Sequence, residues 1–286
     1  MKRCALLTCE NLEDYVADET HLEMALKEAD WQYEWVQWKD TAVDWNSYDC
    51  AIVRTTWDYT KDVKLFLENL KKIDQSSCQL FNDYSLILWN SDKIYLKELS
   101  ELDLPVIPTL WKVYTGISQV KEAFATLEVE KLVIKPRISA GAINTFLISK
   151  EDLASYQEEL KVLVGEDIMI QPFLKQVKEE GEYSAHFFNG SLSHVVLKKP
   201  KSGDFRSQEE FGSDVKLVEL SEEQFSFCQL VLSKIKKPWL FARVDFIKNQ
   251  NGEASLIELE LIEPALYFRY KEGSAAKLVE ELGQLI

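Results

Sequence analysis

The sequence predicts an α/β fold at its N-terminus followed by α+β folds, and three observations lead to this class. Over residues 1–89, short apolar segments alternate with amphipathic ones, as strands alternate with helices around a parallel sheet. Beyond residue 168, two Gly-containing turns each join a pair of apolar segments, which is typical of antiparallel hairpins. The length of 286 residues allows two or three domains. We predict three, with limits at 1–89, 90–167 and 168–286.

The N-terminal domain is expected to start with an apolar strand over residues 4–8. Leu and Ala recur at helical spacing over 19–29, which predicts the first helix. Strands are expected at 33–38 and 49–54, and an amphipathic helix at 61–73. Because helices separate these strands, the strands should run parallel in one sheet.

The middle of the chain is expected to combine two strands with two helices. A helix is predicted from 93 to 102, because Asn-Ser-Asp precedes it and Pro105 lies just beyond its end. Strands at 110–113 and 132–136 should flank a second helix at 118–126.

The C-terminal third is predicted to contain two hairpins and two helices. Asn189-Gly190 is a strong hairpin signal, so residues 183–188 should pair with 192–198. The other expected elements are a strand at 168–172, helices at 221–234 and 274–285, and a second hairpin of 240–247 with 254–262.

The overall charge excludes some partners. The chain has 33 Lys and Arg against 48 Asp and Glu, which gives 33 − 48 = −15. Nucleic acids and anionic membranes need clustered cations, so we expect neither as a partner. No apolar run approaches the length of about 20 residues that spans a bilayer, and the N-terminus turns acidic too early for a signal peptide. The five Cys include no Cys-x-x-Cys, which favours reduced thiols and a cytoplasmic protein.

Three acidic residues interrupt apolar strand segments near the C-terminus. Glu258 and Glu260 are two apart, so they share one strand face, and the hairpin can bring Asp245 beside them. Three such carboxylates repel one another unless a cation lies among them, and Mg²⁺ prefers oxygen ligands. The alternative is a solvated sheet face with ordinary surface charge.

Two groups of cations could bind an anion. Lys135 ends an apolar strand, and the small-residue loop that follows lets backbone N–H groups approach a phosphate. Residues 191–206 hold four basic side chains and one acidic one, a local charge of +3 that includes Lys198 and Arg206. The alternatives are a plain turn after Lys135 and a solvated basic turn near Arg206.

The order of these features resembles the ATP-grasp superfamily, in its glutathione-synthetase-like and cycloserine-biosynthesis cyclo-ligase-like branches. The resemblance covers roughly residues 90–270, from Lys93 at a helix start to the Asp…Glu-x-Glu hairpin. Three phrases resemble the cyclo-ligase-like group: Leu6-Leu-Thr-Cys-Glu10, Val53-Arg-Thr-Thr-Trp-Asp-Tyr59 and Glu258-Leu-Glu-Leu-Ile-Glu-Pro264. The resemblance implies the ATP-grasp fold, in which a parallel α/β domain precedes two α+β subdomains that grip ATP.

The resemblance assigns nucleotide-binding roles. Lys93 and Lys135 match the two lysines that hold the ATP phosphates, and Glu182 matches the acid that binds the ribose hydroxyls. The hinge that holds adenine is matched by Gln171, Phe173 and Leu174.

The resemblance also assigns catalytic and metal-binding roles. Arg206 matches the arginine that meets the transferring phosphate, and Lys198 matches a second cation there. The metal-binding positions are matched by Asp245, Glu258 and Glu260. In the glutathione-synthetase pattern Asn usually occupies the last position, and the extra charge of Glu260 should still favour Mg²⁺.

The loop that closes over the phosphates departs from the family pattern. It usually reads Gly-x-Gly-Gly, whereas here Ser139-Ala-Gly-Ala142 takes its place, with Ser139 as the nucleotide-binding residue. Ala142 is not expected to adopt the positive φ that Gly adopts freely.

The activity implied by the resemblance is an ATP- and Mg²⁺-dependent ligase, with Mn²⁺ as an alternative ion. ATP would phosphorylate a carboxylate or related group of a small amino-acid-like substrate, and an amine-type nucleophile would attack the acyl phosphate. Two alternatives remain open: a small-molecule kinase of the same fold, and a non-catalytic ATP-binding regulatory protein.

The N-terminal domain contributes a weaker candidate site. Arg54, Trp57 and Asp58 follow a predicted parallel strand, where α/β sheets bind ligands, and could therefore read the substrate. The alternative is a structural turn anchored by Trp57. The Trp-rich stretch 31–57 is also a candidate homodimer interface, which the sequence does not decide.

Overall fold

The computed structural model describes residues 1–13 and 15–286, and these residues form three sheets. The strands of the N-terminal sheet are β1 (Arg3–Thr8), β2 (Gln32–Gln37), β3 (Cys50–Thr55) and β4 (Gln79–Phe81). They run parallel in the order β2-β1-β3-β4, which confirms the predicted parallel sheet. The helices of this region are α1 (Thr20–Glu28), α2 (Val63–Asp74) and α3 (Tyr84–Asn90).

Apolar side chains on both faces of β1 and β3 explain the position of this sheet. Leu6 packs with α1 on one face, and Leu7 packs with α2 on the other. Parallel strands covered on both faces read as continuous apolar runs, which is how the sequence revealed them. The sequence did not reveal β4 or α3, because elements of three and seven residues are too short to show periodicity.

The central sheet is antiparallel and carries one long helix. Its strands are β5 (Leu110–Val113), β6 (Lys131–Pro136), β7 (Phe146–Ser149) and β8 (Asp167–Pro172), in the order β5-β8-β6-β7. Helix α5 (Ile117–Leu127) packs Val120 and Phe124 against Ile134 of β6 and Ile170 of β8.

The C-terminal sheet has five antiparallel strands. They are β9 (Glu182–Phe188), β10 (Ser191–Lys199), β11 (Asp214–Val218), β12 (Phe241–Lys248) and β13 (Ala254–Glu260), in the order β11-β10-β9-β12-β13. Both predicted hairpins are confirmed. At the first turn, Asn189 and Gly190 have φ of 44° and 86°, which are the positive values that this hairpin turn requires.

Helices cover both faces of the C-terminal sheet. The remaining helices are α4 (Tyr95–Glu101), α6 (Gln176–Glu179), α7 (Glu222–Leu232) and α8 (Ser274–Leu285). Helices α4 and α7 pack on the face that carries Val244. Helix α8 packs against the sheet beside Phe241 and also reaches α1, so one apolar cluster joins the N-terminal and C-terminal sheets.

Sheet membership crosses the predicted domain limits. The limit between 167 and 168 falls at the start of β8, yet β8 pairs with β5 and β6 of the central sheet. Helix α4 lies before the central sheet in sequence but packs on the C-terminal one. Strands and helices find partners through the tertiary fold, which sequence position does not fix. The domain limits therefore stay a prediction.

Among the described residues, the helices are all too short or too polar to cross a membrane.

Candidate active site

A cavity of about 350 Å³ lies where the central and C-terminal sheets meet the loops of the N-terminal sheet. It brings together every residue that was predicted to bind nucleotide or metal or to act in catalysis. These residues are Lys93, Lys135, Ser139, Gln171, Phe173, Leu174, Glu182, Lys198, Arg206, Asp245, Glu258 and Glu260. Residues separated by more than 160 positions thus share one space.

The floor of this cavity is one face of the C-terminal sheet. Register pairs Asp245 of β12 with Glu258 of β13, and Arg243 with Glu260, so all four side chains project from the same face. On the other side of β12, Asp245 pairs with Ser184 of β9. We use the name cavity floor for these five residues together with Lys198 of β10, which also lines the cavity.

The outer strand β13 is held in register by side chains from outside the sheet. The hydroxyl of Tyr95 donates to the backbone oxygen of Leu259 (2.9 Å) and accepts from its N–H (3.0 Å). Asn90 donates to the same oxygen (2.8 Å) and accepts from the N–H of Leu261 (2.9 Å). These bonds satisfy the free edge of the sheet and hold Glu258 and Glu260 towards the cavity.

Charges on the floor are arranged as an alternating network around Arg243. Its guanidinium donates to Asp245 at 2.9 Å, and also bonds Glu260. Asp245 accepts a further bond from Ser184 at 2.6 Å. Burial opposes ionisation of Asp245, but the positive charges of Arg243 and Lys198 outweigh it and lower the pKa. Burial raises the pKa of Glu260 to about 8 despite Arg243.

The expected site of three metal-binding carboxylates is not assembled. Within residues 1–13 and 15–286, no three His, Cys, Asp or Glu side chains are grouped closely enough to hold a metal ion. Asp245 is 3% exposed and its oxygens are occupied by Arg243 and Ser184, so it is poorly placed as a ligand. Glu258 and Glu260 are about one quarter exposed and face the cavity. Their carboxylate oxygens fit Mg²⁺, which commonly binds one or two carboxylates together with substrate phosphates.

Two lysines approach the cavity from the central sheet and the segment before α4. Lys93 forms an ion pair with Glu258 at 3.2 Å and donates to the backbone oxygen of Ser139. Lys135 lies on β6, and burial lowers its pKa despite the attraction of Glu258. A lysine with little solvation of its own gains most from an incoming polyanion. Both lysines therefore occupy positions suited to phosphate groups.

Lys198 connects the floor to the neighbouring strands. Its ammonium lies 2.5 Å from Glu182 and 3.9 Å from Asp245, and burial would lower its pKa if these two carboxylates did not raise it. Glu182, which was predicted to bind ribose hydroxyls, is therefore paired with Lys198 while it lines the cavity. A carboxylate has about four lone-pair positions, so one ammonium still leaves acceptors for hydroxyls.

Arg206 lies in the loop between β10 and β11. Its guanidinium pairs with Asp204 at 2.8 Å and covers the ring of Phe211 at 3.5 Å from the centroid. The side chain stays about one third exposed on the cavity wall. Glu209 of this loop accepts a hydrogen bond from the hydroxyl of Tyr270, which lies after β13. This bond ties the loop to the body of the protein.

The predicted adenine segment follows β8. The side-chain amide of Gln171 donates to the hydroxyl of Thr109 at 2.9 Å, which fixes its orientation. The ammonium of Lys178 lies 5.5 Å from the centroid of the Phe173 ring. Gln171, Phe173 and Leu174 line the cavity beside Val133 and Ile107. An apolar slot of this kind suits a flat aromatic base.

The prediction for Ala142 is wrong. Gly141 and Ala142 both have positive φ, 59° and 57°, so Ala142 does adopt the left-handed region. The hydrogen bonds from Ile143 N–H to Ala140 O (3.2 Å) and from Thr145 N–H to Ala142 O (3.2 Å) close consecutive tight turns that require it. Turn closure thus overrides the local preference of Ala at a cost of order 1 kcal/mol.

The three candidate substrate residues separate in the structure. Arg54 is fully buried in an ion pair with Glu19 at 2.7 Å, and Asp58 bonds Trp38 and Lys39, so neither lines the cavity. Arg54 also donates to the backbone oxygen of Pro264, and neither residue lines the cavity, so the expectation that they read substrate stays a prediction. Trp57 does line the cavity, and its indole N–H donates to the backbone oxygen of Glu263 at 2.9 Å.

Sequence reasoning missed two charged residues of the site. Arg243 could have been found, because it lies two positions before Asp245 on the same strand and so shares its face. Glu263 lines the cavity three residues beyond Glu260, and burial raises its pKa to about 8. No spacing pattern points to Glu263, since it follows the end of β13.

Comparison with known proteins agrees with this geometry. A lysine-lined nucleotide cavity between two α+β units defines the ATP-grasp class. The family model of the prokaryotic glutathione synthetase ATP-grasp domain matches residues 93–266, more than half of the chain, so the chain belongs to this family. The model of the D-cycloserine synthetase DcsG N-terminal domain matches residues 4–82.

Individual proteins are similar over most of the chain. Cycloserine biosynthesis protein DcsG of Streptomyces lavendulae is 25% identical over 267 residues, 86% of each chain. The crystal structure of D-cycloserine synthetase DcsG superposes with a TM-score of 0.87 at 23% identity, over 99% of each chain. The crystal structure of D-alanine–D-alanine ligase from Bacillus anthracis, complexed with ATP, superposes with a TM-score of 0.67 at 15% identity. The match covers 99% of this chain and 97% of that one. The predicted ATP-grasp fold is confirmed, and the chain is an ATP-grasp ligase.

Proposed function

We propose that this ligase phosphorylates the carboxylate of a small amino-acid-like substrate and joins the activated carbon to an amine-type nitrogen. The single observation that carries the proposal is the cavity itself, where Lys93, Lys135, Lys198 and Arg206 surround a space that also holds the paired acids Glu258 and Glu260. A cleft that concentrates cations beside two acids suits a triphosphate that arrives with a divalent cation.

The similarity to D-cycloserine synthetase extends over the full length, including residues 4–82. We therefore propose that the first reaction to test is ring closure within one amino-acid derivative. Ligation between two molecules is the second, since D-alanine–D-alanine ligase shares the fold.

Each step has a physical requirement that the site meets. The carboxylate oxygen attacks the γ-phosphorus, the bond to the β-phosphate oxygen breaks, and ADP leaves. Negative charge spreads over the transferring phosphoryl oxygens, and Arg206 and Lys198, which line the cavity, would stabilise it. The amine then attacks the acyl carbon, the bond to phosphate breaks, and the nitrogen loses a proton.

Glu258 and Glu260 would hold Mg²⁺ with the phosphate oxygens, and the ion would supply positive charge at the γ-phosphate. Asp245 would contribute by keeping Arg243 and Lys198 oriented rather than by binding the ion. We place the protein in the cytoplasm, because its five cysteines are free and buried thiols and ATP is its substrate class.

The test measures ADP and free phosphate release from ATP with a panel of amino acids and amines. A ligase releases both in equal amounts, and ring closure yields a product lighter than its substrate by one water. A kinase releases ADP while phosphate stays on the acceptor, and a regulatory protein releases neither. The double variant Glu258→Gln with Glu260→Gln should abolish turnover while the protein stays folded, and unchanged ADP release in it would sink the assignment.

Nucleotide binding has its own test. ATP with Mg²⁺ should raise the melting temperature of the wild type, and much less that of Lys135→Ala, since a tenfold loss of affinity removes about 1.4 kcal/mol of ligand stabilisation. Lys131→Ala is the control, because Lys131 is exposed on the same strand. Equal shifts in all three proteins would remove Lys135 from the nucleotide site.

A further inference from the structure

Glu263 differs from the other acids around the cavity. Six further carboxylates line it, and in the described part of the chain each of these has a cation or a hydrogen-bond donor as partner. Within the same residues, the carboxylate of Glu263 has neither an ion pair nor a hydrogen bond. An unpaired carboxylate that is largely removed from water is costly, and a cationic ligand would offset that cost.

Three aromatic residues of the N-terminal region line the same cavity as Glu263. Trp57 bonds the backbone oxygen of Glu263, and its ring centroid lies 4.9 Å from that of Tyr15. Tyr59 is buried and lines the same cavity, and its pKa is raised first by burial and then by the negative charge of Glu263. Glu263 therefore shares the cavity wall with these three aromatic side chains, whose faces attract cations.

The cavity also carries cations that suit phosphate groups. Lys135 makes no ion pair with any described residue, and Lys93, Lys198 and Arg206 line the same space. Phosphate groups are attracted to those cations and repelled by an unpaired carboxylate. An ammonium has the reverse preference, so the unpaired carboxylate and the cations of this cavity suit different groups of the bound molecules.

We propose that Glu263, with the ring of Trp57, forms a subsite for the ammonium group of the amino-acid substrate. This inference rests on the proposed ligase function, because only an acceptor bound beside ATP would use the subsite. It adds a requirement that the ligase function alone does not make: the acceptor must carry a protonated amine, and a 2-hydroxy acid of the same shape must be a poor substitute.

The experiment compares matched acceptors that differ only in this group. The probes are D- and L-alanine and D- and L-serine, against lactate and glycerate of the same configuration. Binding is measured as the rise in melting temperature in the presence of Mg²⁺ and a non-hydrolysable ATP analogue, and turnover as ADP release with ATP. Each is measured for wild type, Glu263→Gln and Glu263→Asp.

The wild type should prefer at least one amino acid to its hydroxy acid. Glu263→Gln should raise the KM for that amino acid by about 10- to 100-fold, the effect of one bond to a charged group, and leave the KM for ATP within about twofold. The preference for the amino acid should disappear in Glu263→Gln and partly return in Glu263→Asp. Trp57→Phe keeps an aromatic face and should have a smaller effect.

Two results overturn the inference: a wild type that treats the paired probes alike, and a Glu263→Gln variant that keeps the wild-type preference. Glu272→Gln serves as the control for loss of one negative charge, because Glu272 is exposed outside the cavity. Failure of the ligase function looks different. An amino-acid preference in binding without any ADP release would support the subsite and reject the ligase. ADP release without a preference for the amino acid would support the ligase function and reject the subsite.

Discussion

The cavity floor and the carboxyl end of β3 each bury an arginine, and the two arginines have different neighbours. Arg243 on the floor pairs with Asp245 and Glu260 and lines the cavity. Arg54 at the end of β3 pairs with Glu19, lies outside the cavity and is 0% exposed. A charged residue in a strand therefore signals a buried ion pair, and only its position in the fold tells whether the pair belongs to a site.

The two regions meet at one segment of backbone, residues 263–266. Arg54 donates to the oxygen of Pro264 at 3.1 Å, and Arg243 donates to the oxygen of Ala265 at 3.1 Å. On either side of them, Trp57 holds the oxygen of Glu263 and His194 holds that of Leu266. Four side chains from different elements thus fix four successive carbonyl groups. This segment leads directly from the floor and carries Glu263, so both arginines hold the same segment although only Arg243 lines the cavity.

The largest effect is expected at the floor. Arg243→Met should lower the free energy of unfolding by about 3–5 kcal/mol, because the buried carboxylate of Asp245 and the partly exposed one of Glu260 both lose the guanidinium between them. ATP turnover should fall by about 10²-fold or more, since Glu260 and Asp245 lose their orientation. Chemical denaturation and ADP release measure the two effects. Arg243→Lys is the control, because it keeps the charge and should recover part of the stability. An Arg243→Met protein with normal turnover would show that Arg243 does not belong to the site.

Arg54→Met should separate stability from chemistry. We expect a similar loss of about 3–5 kcal/mol, because Glu19 stays buried without a partner. Turnover per folded molecule should change much less than in Arg243→Met, since Arg54 lines no part of the cavity. The measurement is ADP release at a temperature where the variant is folded. Equal losses of turnover in the two variants would erase the distinction between the regions.

Histidines beside the floor, on the same face of the sheet, predict a pH dependence of stability. His186 and His194 stack at 4.4 Å between ring centroids, and burial lowers the pKa of His194 to about 4 and also holds that of His186 well below its ordinary value. A depressed pKa in the folded state means that the stabilisation is complete above the ordinary value of 6.5 and is lost as pH falls towards 4. For His194 this loss is about 2 kcal/mol by pH 5.

The measurement is the free energy of unfolding between pH 7 and pH 4.5. His194→Gln should flatten the curve over that range, whereas His21→Gln should not, because His21 is exposed. If both variants follow the wild-type curve, the neutral histidine pair does not contribute.

The smallest effect lies in the loop over the cavity rather than in either buried region. Ala142→Gly should raise the free energy of unfolding by about 0.5–1 kcal/mol, as relief of the left-handed conformation exceeds the entropy that Gly adds to the unfolded chain. Ala140→Gly, in the same loop without positive φ, should lower it. Chemical denaturation of the two variants measures the sign of the change in the free energy of unfolding. A stabilising Ala140→Gly together with a neutral Ala142→Gly would contradict the prediction.

The sequence by itself determined the parallel N-terminal sheet and both hairpins of the C-terminal sheet, and it pointed to residues that the structure brings together in one cavity. Apolar runs, an Asn-Gly turn and alternate acidic positions are local signals, and local signals survive in a single sequence. The family resemblance then ordered the lysines and acids along the chain.

Only the tertiary structure decided which charges belong together. Glu182 and Lys198 are neighbours through strand register, and Arg54 finds Glu19 through the packing of α1 on β3. The same holds for Glu263, whose surroundings come from the end of β3, the loop after β13 and the cavity between them. Coulomb energies depend on distance and burial, and neither quantity can be read from spacing along the chain.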